Sequence, residues 1–300
     1  MSGLRTDQHP RDSLAKRYVY SVLSRRAGGI SLGLNLNPDR ICNWSCAYCQ
    51  VARDDEPKRR QPVDLERARA ELSELLESVA SGELLSLPQH RDLPEAQRRV
   101  VDLSFSGDGE PTTCPHFPAL IDHVIAERSR LGLELELIVL SNNSVAHKPA
   151  VRGALERLAA AGGCLHVKLD AGDETGYARV DRTTVPWAKS IDNLRMTARI
   201  APVVIQTLIC AVDGRFMGAE ELRGYVGLLR GVLDGGGAIE RIDLHSVARR
   251  PPFENVRGLP ESYLQALAAR MIAEEPRLTG RIRVTAGRDE FLLAGAPSAL

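Results

Sequence analysis

The sequence predicts an α/β fold, with parallel strands and outer helices forming a partial (β/α)6 barrel of the TIM type. Three observations predict it. Strand-like runs alternate with helix-like runs six times along the chain, and such alternation implies parallel strands joined by right-handed crossovers. The residues of chemical interest fall where strands end, which is where function collects in α/β barrels. The 300 residues are 43% hydrophobic, enough for a sizeable core and too apolar for disorder of the whole chain.

The first strand is Ile30–Asn37, ending just before a cysteine-rich segment. The spacing then predicts a helix over Asp64–Val79, with Leu65, Ala68, Leu72, Leu75, Leu76 and Val79 on one face. Asp64 caps its start and Gly82 ends it. Val100–Ser106 is the second strand, followed by a Gly-rich turn and a helix near Phe117–Leu131. Leu135–Ser141 is the third, followed by a helix from about Pro149 to Ala161. Leu165–Asp170 is the fourth; a less regular segment separates it from a helix over Trp187–Ile200. Val203–Ile209 is the fifth, with a helix over Ala219–Leu233, and Ile239–Val247 is the sixth, with a helix near Glu261–Glu275. A short strand-like piece, Arg281–Thr285, and a polar tail close the sequence. The expected organisation is an N-terminal extension over 1–29, the barrel over 30–250, and a C-terminal helix and short strand over 251–300 packed on it. The charged stretches Arg25–Arg26 and Lys58–Arg60 read as solvated loops.

Lys plus Arg and Asp plus Glu both number 39, so the formal net charge is zero. That gives no support to a large nucleic-acid footprint and leaves only a local basic patch for such binding. The first residues lack the apolar stretch of a secretory signal. No run approaches the ~20 apolar residues that span a bilayer. The expectation is a cytoplasmic protein without a membrane partner. In that reducing compartment six cysteines read as metal ligands, catalytic groups or buried apolar residues, not as a disulfide framework.

Three of them, Cys42, Cys46 and Cys49, lie within eight residues directly after the first strand. A C-x3-C-x2-C loop can wrap three corners of an iron–sulfur cube and leave one iron without a protein ligand. Structural zinc is the competing reading, but a closed zinc site needs four ligands, and the next candidates, His90 and Cys114, lie far along the chain. Three buried apolar cysteines would leave their clustering unexplained.

The remaining strand ends carry further candidates. Ser106-Gly107-Asp108-Gly109-Glu110 follows the second strand; its glycines allow close backbone approach, and Glu110 can accept hydrogen bonds from an ammonium. The competing meaning is a tight surface turn. Ser141 and Asn142 could bond a ribose or carboxylate, or form an Asx-turn. Lys168 and Asp170 share one face of the fourth strand, as ligand contacts or as a structural ion pair. Gln206 is a candidate of the same kind. His245, Arg249 and Arg250 leave the sixth strand, where a proton carrier and an anion clamp compete with a structural histidine and a solvated pair. Cys114 lies near the Gly-rich turn, with packing as its default role, and Cys164 and Cys210 read as buried strand residues.

The segment Cys42–Cys49, with Tyr48 before its last cysteine, resembles the cluster-binding signature of the radical S-adenosylmethionine (SAM) superfamily. The resemblance implies one 4Fe-4S cluster on Cys42, Cys46 and Cys49, with SAM chelated at the open iron. It implies an enzyme that cleaves SAM reductively to a 5′-deoxyadenosyl radical, which abstracts hydrogen from a substrate the sequence does not name. Gly107, Asp108, Gly109 and Glu110 resemble the Gly-Gly-Glu motif that holds the SAM amino group, with Asp108 in place of one glycine. Tyr48, Ser141, Asn142, Lys168 and Gln206 complete the implied cofactor contacts. An external electron donor of flavodoxin or ferredoxin type is implied as partner. NLNPDRICNWSCAYCQVAR, DLSFSGDGEPT, KLDAG, IQTL and the VAR of LHSVARRPP, over roughly residues 30 to 257, resemble a group related to the wyosine-forming tRNA enzymes. Those enzymes resemble a two-cluster design with cysteines upstream, whereas Cys42 is the first cysteine here. One cluster is therefore expected, and pyruvate condensation on tRNA is not. tRNA base modification, activation of a glycyl-radical enzyme and a non-catalytic metal or iron–sulfur module stand as the alternatives.

Overall fold

Residues 13–24, 27–51 and 60–295 are described by the computed structural model, and they build the expected α/β pattern of mostly parallel strands with intervening helices. Arg25–Arg26 and all but the last residue of Lys58–Arg60 lie outside the described residues. The chain divides into two bodies. One comprises residues 1–42, 55–141 and 148–165; the other comprises 43–54, 142–147 and 166–300.

In the first body β1 (Val19–Ser24) runs antiparallel to β2 (Gly29–Leu34). A turn with Gly28 at φ 67° joins them, a left-handed value that glycine adopts without a Cβ clash. Helix α1 (Leu65–Ala80) starts where the Asp64 carboxylate accepts from Arg67 N–H, and it ends at Ser81 with Gly82 left-handed behind it, as the sequence predicts. Two one-turn helices follow, α2 (Glu83–Ser86) and α3 (Pro88–Arg91). Strand β3 (Val100–Phe105) pairs parallel with β2, and β4 (Glu136–Ser141) pairs parallel with β3. Helices α4 (Phe117–Leu131) and α5 (Pro149–Ala160) complete the body. Its core holds Leu32, Leu34, Leu72, Leu76, Leu103, Phe105 and Phe117, all buried. Phe105 of β3 and Phe117 of α4 meet edge to face at 5.6 Å, which marks the helix-covered side of the sheet. Strand β1 falls within the expected N-terminal extension. Its VYSVLS sequence is buried at nearly every position, so it offers no alternation of period two, and no helix follows it to complete a β-α unit.

Strand β5 (Cys164–Lys168) crosses from the first body into the second. The second body then runs α6 (Glu174–Val180), α7 (Trp187–Ile200), β6 (Val203–Leu208), β7 (Cys210–Val212), α8 (Ala219–Asp234), β8 (Ile239–His245), β9 (Val256–Gly258), α9 (Glu261–Glu274) and β10 (Ile282–Thr285). β6 pairs parallel with β8, and β8 with β10. β7 and β9 form a separate antiparallel pair. Helix α6 fills the segment that the sequence presents as less regular. Along β8 the buried Ile242 and Leu244 alternate with the polar Arg241, Asp243 and His245, so only one face of this sheet is apolar. Thr207 of β6 hydrogen-bonds Tyr225 of α8 at 2.6 Å, which puts the helices on the apolar face. Among the described residues no helix is long and apolar enough to cross a membrane.

Candidate active site

Each body contributes its own constellation. In the first, the chain leaves β2 through Asn35, whose side chain works as a bracket. Asn35 Oδ1 accepts the N–H groups of Asn37 (3.0 Å) and Asp108 (3.1 Å), and Asn35 Nδ2 donates to the Asp108 carboxylate at 2.8 Å. Asn37 Nδ2 donates to the Ile41 carbonyl at 3.2 Å, one residue before Cys42. The glycines of the Gly107–Glu110 turn are required by this bracket. A Cβ on Gly107 would stand 2.3 Å from Asn35 Oδ1, and one on Gly109 would stand 2.3 Å from the Ile41 carbonyl oxygen. The close approach expected of these glycines is thus made to the chain's own lead-in to Cys42.

Glu110 is 3% exposed. Its Oε1 accepts from Thr112 N–H (3.2 Å), Thr112 Oγ1 (2.5 Å) and Ser141 Oγ (2.6 Å). Glu110 and Ser141, from the ends of two different strands, are therefore brought together as a hydroxyl-oriented carboxylate. Cys114 lies buried, and burial pushes its thiol up. Packing is the role its surroundings describe.

In the second body the loop from Asn43 to Cys49 is pinned from several sides. The backbone after α6 pairs with it: Ser45 N–H donates to the Asp181 carbonyl (3.2 Å), and Ala47 N–H donates to the Val180 carbonyl (2.7 Å). Thr183 Oγ1 donates to the Asn43 carbonyl at 2.9 Å. Trp44, also buried, meets Tyr177 edge to face at 5.4 Å, and Trp187 lies tilted against the Tyr177 ring at 5.0 Å. The Asn43 amide donates to Ser144 Oγ (2.6 Å), and Asn142 Nδ2 donates to Asn43 Oδ1 (2.9 Å). Asn142 Oδ1 in turn accepts from Ser144 N–H (3.1 Å), the Asx-turn foreseen as one role of this segment. Helix α7 holds the same turn: Asn193 Nδ2 donates to the carbonyls of Asn143 (2.8 Å) and Ser144 (3.1 Å). Asn143 sits at φ 62°, a left-handed conformation that asparagine tolerates better than most residues.

Beneath this loop lies a buried charged group. Lys168 Nζ pairs with Asp170 at 2.9 Å and lies 4.8 Å from the centre of the Tyr48 ring. The Tyr48 hydroxyl donates to Asp170, and Leu208 N–H donates to the other Asp170 oxygen at 2.7 Å. Burial opposes ionisation of Asp170, but the Lys168 ammonium, the Tyr48 hydroxyl and the Leu208 N–H hold its carboxyl below the ordinary value. Burial opposes the Lys168 ammonium as well, and the Asp170 carboxylate outweighs it, so that Lys168 stays charged. Burial and then the Asp170 charge push the Tyr48 phenol well up. Burial, followed by the same charge, pushes the Asp181 carboxyl well up. The Cys46 thiol, 3.9 Å from Asp181 Oδ1, is pushed up by burial and by that carboxyl. Tyr48 and Lys168 are thus brought together, with Lys168 in the ion pair rather than held apart from Asp170. Gln206 is placed elsewhere on the same sheet face, 3.0 Å from His166 Nδ1 and 3.3 Å from Asp243 Oδ2.

The donor set fits an iron–sulfur cluster. Cys42, Cys46 and Cys49 form no disulfide and are half-buried, whereas Cys114, Cys164 and Cys210 form none and are buried. Among the described residues no three His, Cys, Asp or Glu side chains converge on a single-ion position. A cubane puts each thiolate on a different iron and does not ask for that convergence. Sequence reasoning misses Asp181, Thr183, Tyr177 and Asn193, because each acts through backbone or ring contacts to a distant loop, about fifty residues away for Asn193 and more than a hundred for the others. His245 Nδ1 donates to the Asp243 carbonyl (3.2 Å), and Arg249 donates to Gln50 Oε1 at 2.8 Å.

A family model described as the radical SAM superfamily matches residues 36–218. The chain is 27% identical over 238 residues to a protein named UPF0026 protein from Helicobacter pylori strain 26695, a match covering 78% of this chain and 67% of that protein. It is 29% identical over 174 residues to the UPF0026 protein of strain J99, covering 58% of this chain and 47% of that protein. The chain thus spans about two thirds of the first relative and under half of the second. A solved structure of TYW1 with a lysine-pyruvate adduct bound is similar over 89% of this chain and 78% of that chain, at 18% identity and a TM-score of 0.48.

Proposed function

We propose, proceeding from the fact that this chain belongs to the radical SAM superfamily, that Cys42, Cys46 and Cys49 hold one 4Fe-4S cluster and that the chain cleaves SAM reductively to abstract hydrogen from its substrate. The family implies both the cluster and SAM. When bound, they supply one-electron reduction of the sulfonium and a 5′-deoxyadenosyl radical. The electron comes from an external carrier of flavodoxin or ferredoxin type.

The observation that carries this reading is the loop itself. Asn43–Cys49 is fixed at Asn43, Ser45, Ala47 and Tyr48, while Cys46 and Cys49 form no disulfide and are half-buried. A loop so fixed holds its cysteines in place without joining them in disulfides. Buried Trp44 and its aromatic neighbours exclude water from one side. Glu110, oriented by Thr112 and Ser141, supplies a carboxylate for the SAM ammonium. Gly107, Asp108 and Gly109 hold the lead-in to Cys42, Tyr48, Asn142 and Lys168 hold the loop, and Gln206 contacts His166 and Asp243 instead.

Anaerobic reconstitution tests the reading. The wild-type chain should take up about four irons and form 5′-deoxyadenosine from SAM and dithionite. Cys42→Ala, Cys46→Ala and Cys49→Ala should each lose the cluster and the nucleoside product, while Cys164→Ala retains both. Stoichiometric zinc with no 5′-deoxyadenosine in the wild type overturns the proposal.

A further inference from the structure

A short surface segment of the second body, Arg249–Phe253, is tied to both flanks of the cysteine loop, and the chemistry above does not use it. At its start Arg249 donates to Gln50 Oε1 (2.8 Å), and Gln50 Nε2 donates to the Arg250 carbonyl (3.5 Å). Gln50 directly follows Cys49. At its end the Arg182 guanidinium lies 5.1 Å from the centre of the Phe253 ring, a cation–π contact. Arg182 belongs to the other flank of the loop. It stands between Asp181, whose carbonyl accepts from Ser45 N–H, and Thr183, whose hydroxyl donates to the Asn43 carbonyl. Its φ is 46°, a left-handed value that a residue other than glycine keeps only where its neighbours fix the turn. Both ends of the segment are thus set by the loop that carries Cys46 and Cys49.

Phe253 is 46% exposed, the only large apolar side chain so exposed among the described residues. One exposed ring alone means little; here guanidiniums frame it. Arg182 lies against the ring and Arg250 stands exposed three residues before it, and neither pairs with a carboxylate. Of the neighbouring acids, Asp181 is buried and Glu254 alone is exposed beside Phe253. The patch is small, and transient redox encounters bury the least area among specific complexes. Complementary charge gives such encounters speed more than tightness. A permanent partner would need a wider apolar face, and a nucleic acid a wider basic one, whereas the formal net charge of the chain is zero. The complement of a ring framed by guanidiniums is an apolar edge framed by carboxylates. The dimethylbenzene edge of a flavin, set in an acidic rim, has that form.

We infer that Arg182, Arg250 and Phe253 form the docking surface for an acidic flavodoxin, which delivers its electron beside Cys49. The reduced flavin gives up one electron and the cluster gains it, with no bond made or broken. The inference rests on the proposed function, a SAM-cleaving chain fed by an external carrier. The test titrates the reconstituted holoprotein with oxidised flavodoxin by calorimetry, and measures 5′-deoxyadenosine formed with reduced flavodoxin and separately with dithionite. The wild type should bind saturably, and severalfold more weakly at high salt. Arg182→Glu and Arg250→Glu should each weaken binding by about tenfold or more, and Phe253→Ala by a smaller factor. Arg270→Glu, on α9, should leave binding unchanged. Dithionite is a small ion that needs no docking surface, so its 5′-deoxyadenosine yield should match the wild type in all four variants, while the flavodoxin-driven rate falls with affinity. Wild-type iron content shows that a variant keeps its cysteine loop; if Arg182→Glu loses iron, Arg250→Glu decides. Normal dithionite-driven cleavage with no saturable flavodoxin binding, or with wild-type affinity in Arg250→Glu, overturns the docking surface and leaves the proposed function standing. Preference for a plant-type ferredoxin, or binding of tRNA in place of flavodoxin, overturns it too. Failure of the wild type to cleave SAM with dithionite removes the proposed function, and the calorimetry still decides whether this surface holds flavodoxin.

Discussion

The two bodies hold several of their carboxylates by different means. In the first, Glu110 is oriented by the hydroxyls of Thr112 and Ser141, Asp108 by the Asn35 amide, and Asp102 by Ser31 and Ser104. In the second, Asp170 meets Lys168, Glu221 meets Arg179, and Asp243 meets Arg241 and Arg283. Neutral donors fix an acid's orientation and leave its charge to act on a ligand. Cationic partners fix position and cancel charge, and inside a protein they make each member depend on the other. The first arrangement suits recognition of an ammonium, and the second suits support of a loop. The difference is testable because removing a donor should hurt function in one body and stability in the other.

The largest effect should come from the second body. Lys168→Met leaves Asp170, fully buried, without its cation, and breaking a buried pair this way costs about 3–5 kcal/mol. Urea unfolding of the variant should show that loss. A double variant, Lys168→Met with Asp170→Leu, should recover much of it, since replacing both partners removes the stranded charge. If the single variant is as stable as the wild type, the charged group is not what supports the Tyr48 side of the loop.

Gly109→Ala should come next, acting in the first body through geometry rather than charge. The added methyl would stand 2.3 Å from the Ile41 carbonyl, a backbone atom, so the lead-in to Cys42 must shift. Reconstituted iron should fall to less than half of the wild-type content. Gly153→Ala, at a helical glycine where the added methyl would stand 3.4 Å from the end of the Arg157 side chain, should leave iron content unchanged. Equal iron content in both variants would show that the Asn35–Ile41 bracket does not position Cys42.

Glu110→Gln should have a smaller effect and a different signature. The amide can still accept from Thr112 and Ser141, so urea stability should change by no more than about 1 kcal/mol. SAM affinity should fall by about tenfold, because a charge-assisted hydrogen bond to the ammonium is lost. Iron content should be unaffected. A large stability loss with normal SAM affinity would reverse the roles assigned to the two bodies.

These cases also show what a sequence discloses. Cys42, Cys46 and Cys49 are legible because three soft ligands within eight residues have few other physical meanings. The strand ends at Glu110, Ser141 and Lys168 are legible because periodicity places them. Strand β1 is not, since a run apolar on both faces lacks a period of two. The division of labour between Gly109 and Glu110 is not legible either. A glycine kept for contact with Ile41 and one kept for contact with a ligand leave the same letter in the chain, and only the position of the Ile41 carbonyl separates them. Asp181 and Asn193 are invisible for a related reason: they act on or through backbone groups far along the chain, which carry no sequence signal.

The last test is at Glu71, which crosses the comparison by lying in the first body yet touching an arginine. Its carboxylate accepts from the N–H groups of Arg17 (3.0 Å) and Tyr18 (2.7 Å) and from Arg67 Nε (2.8 Å). Burial opposes ionisation, but these donors together hold the Glu71 carboxyl below the ordinary carboxylate value. A depressed folded value contributes stability that is present above the unfolded value of about 4.3 and is lost as pH falls through the folded value. Glu71→Gln should therefore cost about 1–3 kcal/mol at neutral pH, and the gap from the wild type should close as pH drops below about 4. Arg67 is 54% exposed, so Arg67→Ala should cost less than about 1 kcal/mol. That ordering says backbone donors, not the cation, hold this acid, as neutral donors do elsewhere in the first body. Urea unfolding between pH 3 and pH 7 reads both variants, and an Arg67→Ala loss larger than that of Glu71→Gln would place Glu71 with the charge-paired acids of the second body instead.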